Sequence, residues 1–365
     1  MAPTMTIDDL LRTAVQKRAS DLHLTAGLPP RLRIDGTLVS LPVPPLDADQ
    51  SKALAYQMLT PEMILQFERT KEMDTAYSIK GLSRFRVNLF YQRGSVASVV
   101  RIIPFEIPSL RELGLPGILE EFADRPSGLF IVSGPTGCGK STTLAAMIET
   151  INVQRNCHII SIEDPIEHLH HHKKATINQR ELGVDTTSFR EALKHIVRED
   201  PDVIMIGEMR DLETMSAALT LAETGHLVLT TLHTSDTVHA IQRIVDVFPP
   251  HHQHQIRLQL SLVLIGIVVQ QLIPKTTGEG RLVACEVMAA TPSIRNLVRE
   301  NQLQQLRSTL QTGRKSGMCT MNHAFADLFA KGLVTWEEIT RRSTDLEELN
   351  NLVKPAEKLP DPKDR

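Results

Sequence analysis

The chain has 365 residues, 41% hydrophobic and 23% charged, with a formal net charge of −3. That length suits two domains of ordinary globular composition, and the slight acidic excess argues against a dedicated nucleic-acid binder, which carries a basic face. The 4 cysteines, Cys138, Cys157, Cys285 and Cys319, are far apart with no CxxC pair, which argues against a zinc ribbon or a disulfide framework and suits a reducing compartment.

The N-terminus lacks the apolar core of a signal peptide, and Ile7, Leu10, Leu11, Ala14 and Val15 follow the spacing of an amphipathic helix. Over 21–42, short alternating runs broken by Gly27, Pro29, Pro30, Asp35 and Gly36 predict strands with turns. A helix is expected over 51–70, and 83–103 reads as a hairpin turning at Arg93-Gly94. These elements make an α+β domain over 1–103, and Pro104 and Pro108 mark a linker over 104–114.

Beyond Leu115 the pattern becomes strand–loop–helix. The apolar runs 129–133, 158–162, 203–207 and 227–232 predict a mostly parallel sheet with helices on both faces, an α/β fold class. The apolar stretch 258–273 reads as a buried helix. It falls short of the roughly 18 uncharged apolar residues of a membrane span, so no direct span is expected. After Pro274 the chain is expected to be helical, with helices in 293–301 and 321–343, and the proline-rich, charged tail 351–365 is expected to be disordered.

The strongest chemical signal is GPTGCGKST: Gly134, Pro135, Thr136, Gly137, Cys138, Gly139, Lys140, Ser141 and Thr142. An apolar strand precedes it and a helix-forming run follows, the context of a phosphate-binding loop. Its glycines let successive N–H groups point inward, and with the helix N-terminus these donors cradle phosphate oxygens. Lys140 then reaches the β- and γ-phosphates of ATP, and the Ser141 hydroxyl ligates Mg2+.

Such a site needs carboxylates near the metal and the attacking water. Glu163-Asp164 follow one predicted strand and Glu208 another, and ligands in doubly wound sheets bind at those strand ends. His226 and His233 flank a third strand, and His233 falls at its carboxyl end. The stretch SIEDPIEHLHHHKK (161–174) invites a metal reading. No cysteine or knuckle spacing supports one, and Lys173 and Lys174 repel a cation, so His168, His170, His171 and His172 read as a polar loop beyond the turn at Pro165. Glu167 reads as an outer support to the strand-end acids.

Together GPTGCGKST, IEDPIEHLH, DPDVIMIGEMRD and TGHLVLTTLHT resemble, in order and spacing, the Walker A, Asp, Walker B and His boxes of the type II/type IV secretion ATPases. Within them the chain is most similar to the PilT group, the type IV pilus retraction motors. SDLHLTAGLPPRLRIDG, RFRVNLFYQRG, GEMRDLET, SIRNLVRE and GMCTMN extend the resemblance from about Ser20 to Leu352. It implies an N-terminal PAS-like domain and a C-terminal RecA-like P-loop ATPase domain with C-terminal helices over 115–350. It implies a homohexamer, ATP and Mg2+, and a cytoplasmic place at the inner membrane through a pilus platform protein, with a paralogous retraction ATPase as a further partner. By position, Glu163 orients water, Glu208 serves Mg2+ directly or through water, and His233 contacts the phosphate end. Arg84, Arg86 and Arg101 are the candidates to neutralise phosphate charge.

The chain departs from the group at Ser293, where alanine is usual, and in its histidine-rich loop. It lacks the tetracysteine element of assembly-type ATPases. The resemblance thus implies retraction powered by ATP hydrolysis, with a pilus-assembly or type II secretion ATPase, a nucleic-acid translocase and a non-hydrolysing accessory subunit as rivals.

Overall fold

The computed structural model describes residues 5–34, 36–103 and 107–353. The turn position Asp35, the start of the predicted linker (104–106) and the predicted tail beyond Val353 lie outside the described residues. The chain divides into two compact units, Met1–Glu106 and Ile107–Arg365.

In the first unit, α1 (Ile7–Gln16) starts at a capping box in which Thr6 and Asp9 satisfy each other's backbone N–H, and it buries Ile7, Leu10, Leu11 and Ala14. The strands β1 (Asp21–Leu24), β2 (Arg31–Ile34) and β3 (Thr37–Ser40) follow. The single helix expected over 51–70 is two, α2 (Ala48–Tyr56) and α3 (Pro61–Thr70). The break is local chemistry: Pro61 has no N–H to continue α2, while Thr60 accepts a hydrogen bond from the Met63 N–H and opens a new helix. Next comes β4 (Glu72–Ile79), a strand the sequence reading did not anticipate because its mixed polarity hides the alternation. The hairpin β5 (Ser83–Gln92) and β6 (Ser95–Ile103) turns at Arg93 and Gly94. Both adopt positive φ, 49° and 79°, the geometry of a tight two-residue turn.

The six-stranded sheet runs β3-β2-β1-β6-β5-β4, antiparallel throughout. One face buries Leu22, Leu32, Phe85, Val87, Leu89 and Val100. Alternation sends Arg84 and Arg86 to the other face.

The second unit has a seven-stranded sheet in the order β13-β12-β7-β11-β10-β8-β9. After α4 (Ile118–Ala123) it alternates β7 (Gly128–Ser133), α5 (Lys140–Gln154), β8 (His158–Glu163), β9 (Thr176–Glu181), α6 (Phe189–Ile196), β10 (Val203–Ile206), α7 (Leu212–Glu223), β11 (Leu227–Leu232) and α8 (Thr237–Asp246). All pairings are parallel except the edge pair β12–β13. The central strands β7 and β11 are buried along their whole length, hence their unbroken apolar runs.

The expected helix over 258–273 is overturned in its second half. Helix α9 (Pro250–Val263) stops at Val263, and Leu264–Pro274 is strand β12. A short continuous apolar run does not discriminate between the two states, and here Ile265, Ile267, Val268 and Val269 favour the strand. Gly266 lets the strand close on its neighbours, for a Cβ there would lie 2.8 Å from both the Met288 carbonyl oxygen and the Phe122 ring. The chain does not turn helical at once after Pro274, since β13 (Arg281–Ala289) pairs back on β12. Then come α10 (Pro292–Arg299), α11 (Leu306–Thr312), α12 (Met321–Ala330), α13 (Trp336–Arg342) and α14 (Leu346–Leu352). Ile273, Phe325, Phe329, Ile339 and Leu349 form a separate small core beneath the last helices.

Candidate functional site

Residues 134–139 join the carboxyl end of β7 to α5. Helix α5 has Gly139 as N-cap, with φ 90°, and no side chain caps it. Its first N–H groups, together with the positive end of the helix dipole, therefore form a site for an anion. Glycine is required at 134: φ is 138°, and a Cβ would lie 2.5 Å from the Gln270 carbonyl oxygen. Pro135, Thr136, Gly137 and Ser141 are exposed, Thr142 is half-buried and Cys138 is buried. Burial pushes the Cys138 thiol above its ordinary pKa, so the side chain packs as a small apolar group.

Lys140 is buried, and its ammonium donates to the carbonyl oxygens of Gly134, at 2.9 Å, and Pro135, at 3.1 Å. Burial pulls its pKa below the ordinary lysine value. Its Nζ also lies 3.4 Å from His233 Nδ1, while His233 Nε2 lies 3.3 Å from a Glu208 carboxylate oxygen. His233 thus bridges the loop lysine to the acid beyond β10. A staple keeps this register: the Thr234 N–H, just after His233, donates to Ser133 Oγ, just before the loop, at 2.8 Å.

The two acids sit in opposite environments. Glu163 ends β8 and is 7% exposed, with Oε1 accepting from Ser161 Oγ at 2.7 Å and from Gln179 Nε2 at 3.0 Å. Burial pushes its pKa up, more than these two donors pull it down. Glu208 has a 22% exposed side chain and an ion pair with Arg210 at 2.8 Å. Burial would raise it, but the Arg210 hydrogen bond and the neighbouring His233 hold it below the usual carboxylate range. Asp164 is exposed.

His226 belongs to the other end of β11, where its Nδ1 lies 2.9 Å from the Leu221 carbonyl oxygen and joins the end of α7. Arg84, Arg86 and Arg101 are in the first unit. There Arg86 and Arg101 are cross-strand partners, and Arg101 Nε donates to the buried Asp21 at 3.0 Å.

The histidine stretch is not simply a solvated loop. His170 has a 3% exposed side chain and lies 3.5 Å from Glu149 on α5. The buried Asn152 side chain donates to the His171 carbonyl at 2.7 Å and accepts from the Lys173 N–H at 3.1 Å. His172 Nδ1 accepts from the Ile177 N–H at 3.0 Å. The nearby His170 imidazole, with Lys173 and Asn152, holds the Glu149 carboxyl at about 2 despite partial burial. The segment is laced both to α5, through Asn152 and Glu149, and to β9, through Gln179 and Ile177, because its backbone polar groups need partners.

Sequence reasoning did not single out Ser161, Gln179, Arg210 or Gln270. Gln179 and Gln270 lie on β9 and β12, which it did not recognise as strands, so their direction toward the site was hidden. Arg210 was legible, two residues from Glu208, yet an exposed arginine carries no mark of its ion pair.

The family model described as Type II/IV secretion system protein matches residues 3–341. The chain is 46% identical over 339 residues to the "Type IV pilus retractation ATPase PilT" of Pseudomonas aeruginosa, covering 93% of this chain and 98% of that one. It is 42% identical over 341 residues to the "Twitching motility protein" of Neisseria gonorrhoeae, covering 93% and 91%. A crystal structure of the pilus retraction motor PilT with bound ADP superposes with a TM-score of 0.90 at 47% identity, covering 95% of this chain and 99% of that one. The ATPase DotB of Legionella pneumophila superposes with a TM-score of 0.79 at 26% identity, covering 91% and 94%.

Proposed function

The chain belongs to the type II/IV secretion system protein family, and from that premise we propose that it is a PilT-like ATP hydrolase powering type IV pilus retraction, the motor of twitching motility. The observation that carries the chemistry is the continuous line from Lys140 of the glycine loop through His233 to Glu208, with the buried Glu163 at the end of the neighbouring strand β8. The first unit is a PAS-like domain and the second a RecA-like ATPase domain. Six copies form a ring, and the ring acts in the cytoplasm on an inner-membrane platform protein, which it reaches without a membrane span of its own.

In this reading the loop N–H groups hold the β-phosphate, and Lys140 leaves its carbonyl partners to meet the γ-phosphate oxygens. Ser141 and Glu208 are hard oxygen donors flanking the loop, and Glu208 is kept ionised by Arg210; they fit Mg2+ and would hold it, Glu208 directly or through water. When bound, the metal neutralises charge on the phosphates. Glu163, destabilised as an anion by burial, aligns the attacking water and takes up its proton. His233 touches both Lys140 and Glu208, so it registers whether the γ-phosphate is present. Arg84, Arg86 and Arg101 are the further positive charges of this reading, candidates to neutralise the phosphates.

The test combines chemistry with phenotype. Purified Lys140→Ala is expected to lose at least about a hundredfold in turnover. A deletion strain is expected to carry surplus pili that do not retract; bald cells would show an assembly motor instead. Mass measurement of the purified protein checks the hexamer, and ATPase stimulation by DNA would support the translocase rival.

A further inference from the structure

We infer that Gln270 is a positioning residue of the phosphate loop: its side-chain amide fixes the peptide plane between Cys138 and Gly139 so that the Gly139 N–H faces the nucleotide phosphates. This rests on the reading of 134–142 as the ATP site. Strand β12 runs parallel to β7 with Val269 opposite Ser133, so the next residue, Gln270, lies beside the first residue of the loop. Its side chain is 1% exposed and makes two bonds to the loop region at once. Nε2 donates to the Cys138 carbonyl at 2.7 Å, and Oε1 accepts from Thr143 Oγ1, in the first turn of α5, at 2.9 Å. The contact is close: a Cβ on Gly139 would lie 3.3 Å from Gln270 Nε2.

The direction of the bond decides its consequence. In a trans peptide the C=O and the following N–H point to opposite sides. A Cys138 carbonyl held toward β12 therefore turns the Gly139 N–H away from it, toward the concavity before α5. Remove the donor and a buried carbonyl loses its partner, which is costly. The cheapest relief is to rotate this peptide, and glycine at 139 offers almost no steric resistance. Rotation would aim a carbonyl oxygen at the phosphates in place of an N–H. An amide satisfies both partners at any working pH, because it donates from one atom and accepts at the other. Methionine does neither, and an ionised glutamate presents an oxygen to the Cys138 carbonyl.

The experiment measures binding of a fluorescent ADP and steady-state ATP hydrolysis on the full-length protein and two size-matched variants. For Gln270→Met, ADP affinity is expected to fall about tenfold and KM for ATP to rise as much, while kcat changes by less than about threefold, the pattern of lost uniform binding. The melting temperature without nucleotide should stay within about 3 °C of the parent. For Gln270→Glu, the deficit relative to the parent should shrink as pH is lowered from about 8 to 6, because a protonated carboxyl again donates to Cys138. Unchanged ADP affinity in both variants would overturn the inference. So would a loss that simply tracks melting temperature and shows no recovery at low pH. A parent protein that neither binds ADP nor turns over ATP would instead count against the ATP-site reading itself.

Discussion

The end of β8 and the end of β10 are adjacent strand termini in one sheet, paired in parallel register from Ile159 and Val203 to Ile162 and Ile206. Each carries a glutamate at or just beyond its end, yet the two acids are tuned in opposite directions. Glu163 is buried, and burial raises its pKa. Glu208 is less deeply buried, and Arg210 with His233 lowers it against the pull of that partial burial. A carboxylate uneasy as an anion suits proton uptake from water, and one held ionised suits a cation. Two acids of the same type are shifted in opposite directions by a difference in burial and by Arg210 and His233.

The largest effect expected from breaking this contrast is at Glu163. Glu163→Gln keeps the bonds to Ser161 and Gln179 through its amide but loses the base; kcat should fall about a thousandfold, with ADP affinity within about threefold of the parent. Substantial turnover in the purified variant would remove the base assignment. Next, Glu208→Gln should lower kcat about a hundredfold and raise the Mg2+ concentration needed for half-maximal rate, read from a magnesium titration.

Gln179→Leu sharpens the comparison from the side of its support. Losing one donor raises the Glu163 pKa further, so the acid limb of the kcat profile should move to higher pH, with about a tenfold loss at neutral pH. In the parent that limb should already lie above the ordinary glutamate range, because burial raises the group. Arg210→Ala has a smaller effect: Glu208 returns upward toward the ordinary range, so loss is confined to acidic pH and stays within about threefold near neutrality.

The smallest effect concerns stability, away from the chemistry. Glu149 is held at about 2 against an ordinary 4.5, so its contribution is fully present above 4.5 and is lost as pH falls through about 2. With its side chain 20% exposed, Glu149→Gln should cost about 1–2 kcal/mol at neutral pH after screening, and nothing in strong acid, measured by urea unfolding at both pH values.

Much of the architecture was legible because it rests on local patterns. The runs around 129–133, 158–162, 203–207 and 227–232 are buried parallel strands, and such strands announce themselves as unbroken apolar stretches. The hairpin turn at Arg93-Gly94 was legible for the same reason: turn chemistry is carried by two residues. Strands β4 and β9 were not legible, since polar residues such as Asp74, Gln179 and Arg180 face partners only the folded sheet supplies. The split of 258–273 into helix and strand depends on pairing with β7 and β13, which lie more than a hundred residues before it and on the far side of a turn.

By itself, then, the sequence determined the phosphate-loop motif, the acids that follow the strands and the histidine that follows the next one, because each is set by its neighbours in the chain. The tertiary structure decided what those groups are. It joined Lys140, His233 and Glu208 into one line, moved the pKa values of Glu163 and Glu208 apart, and brought Gln179 and Gln270 in from strands that had no local signature. Burial and hydrogen bonding at a distance in sequence set those properties, and neither is written in any short stretch of residues.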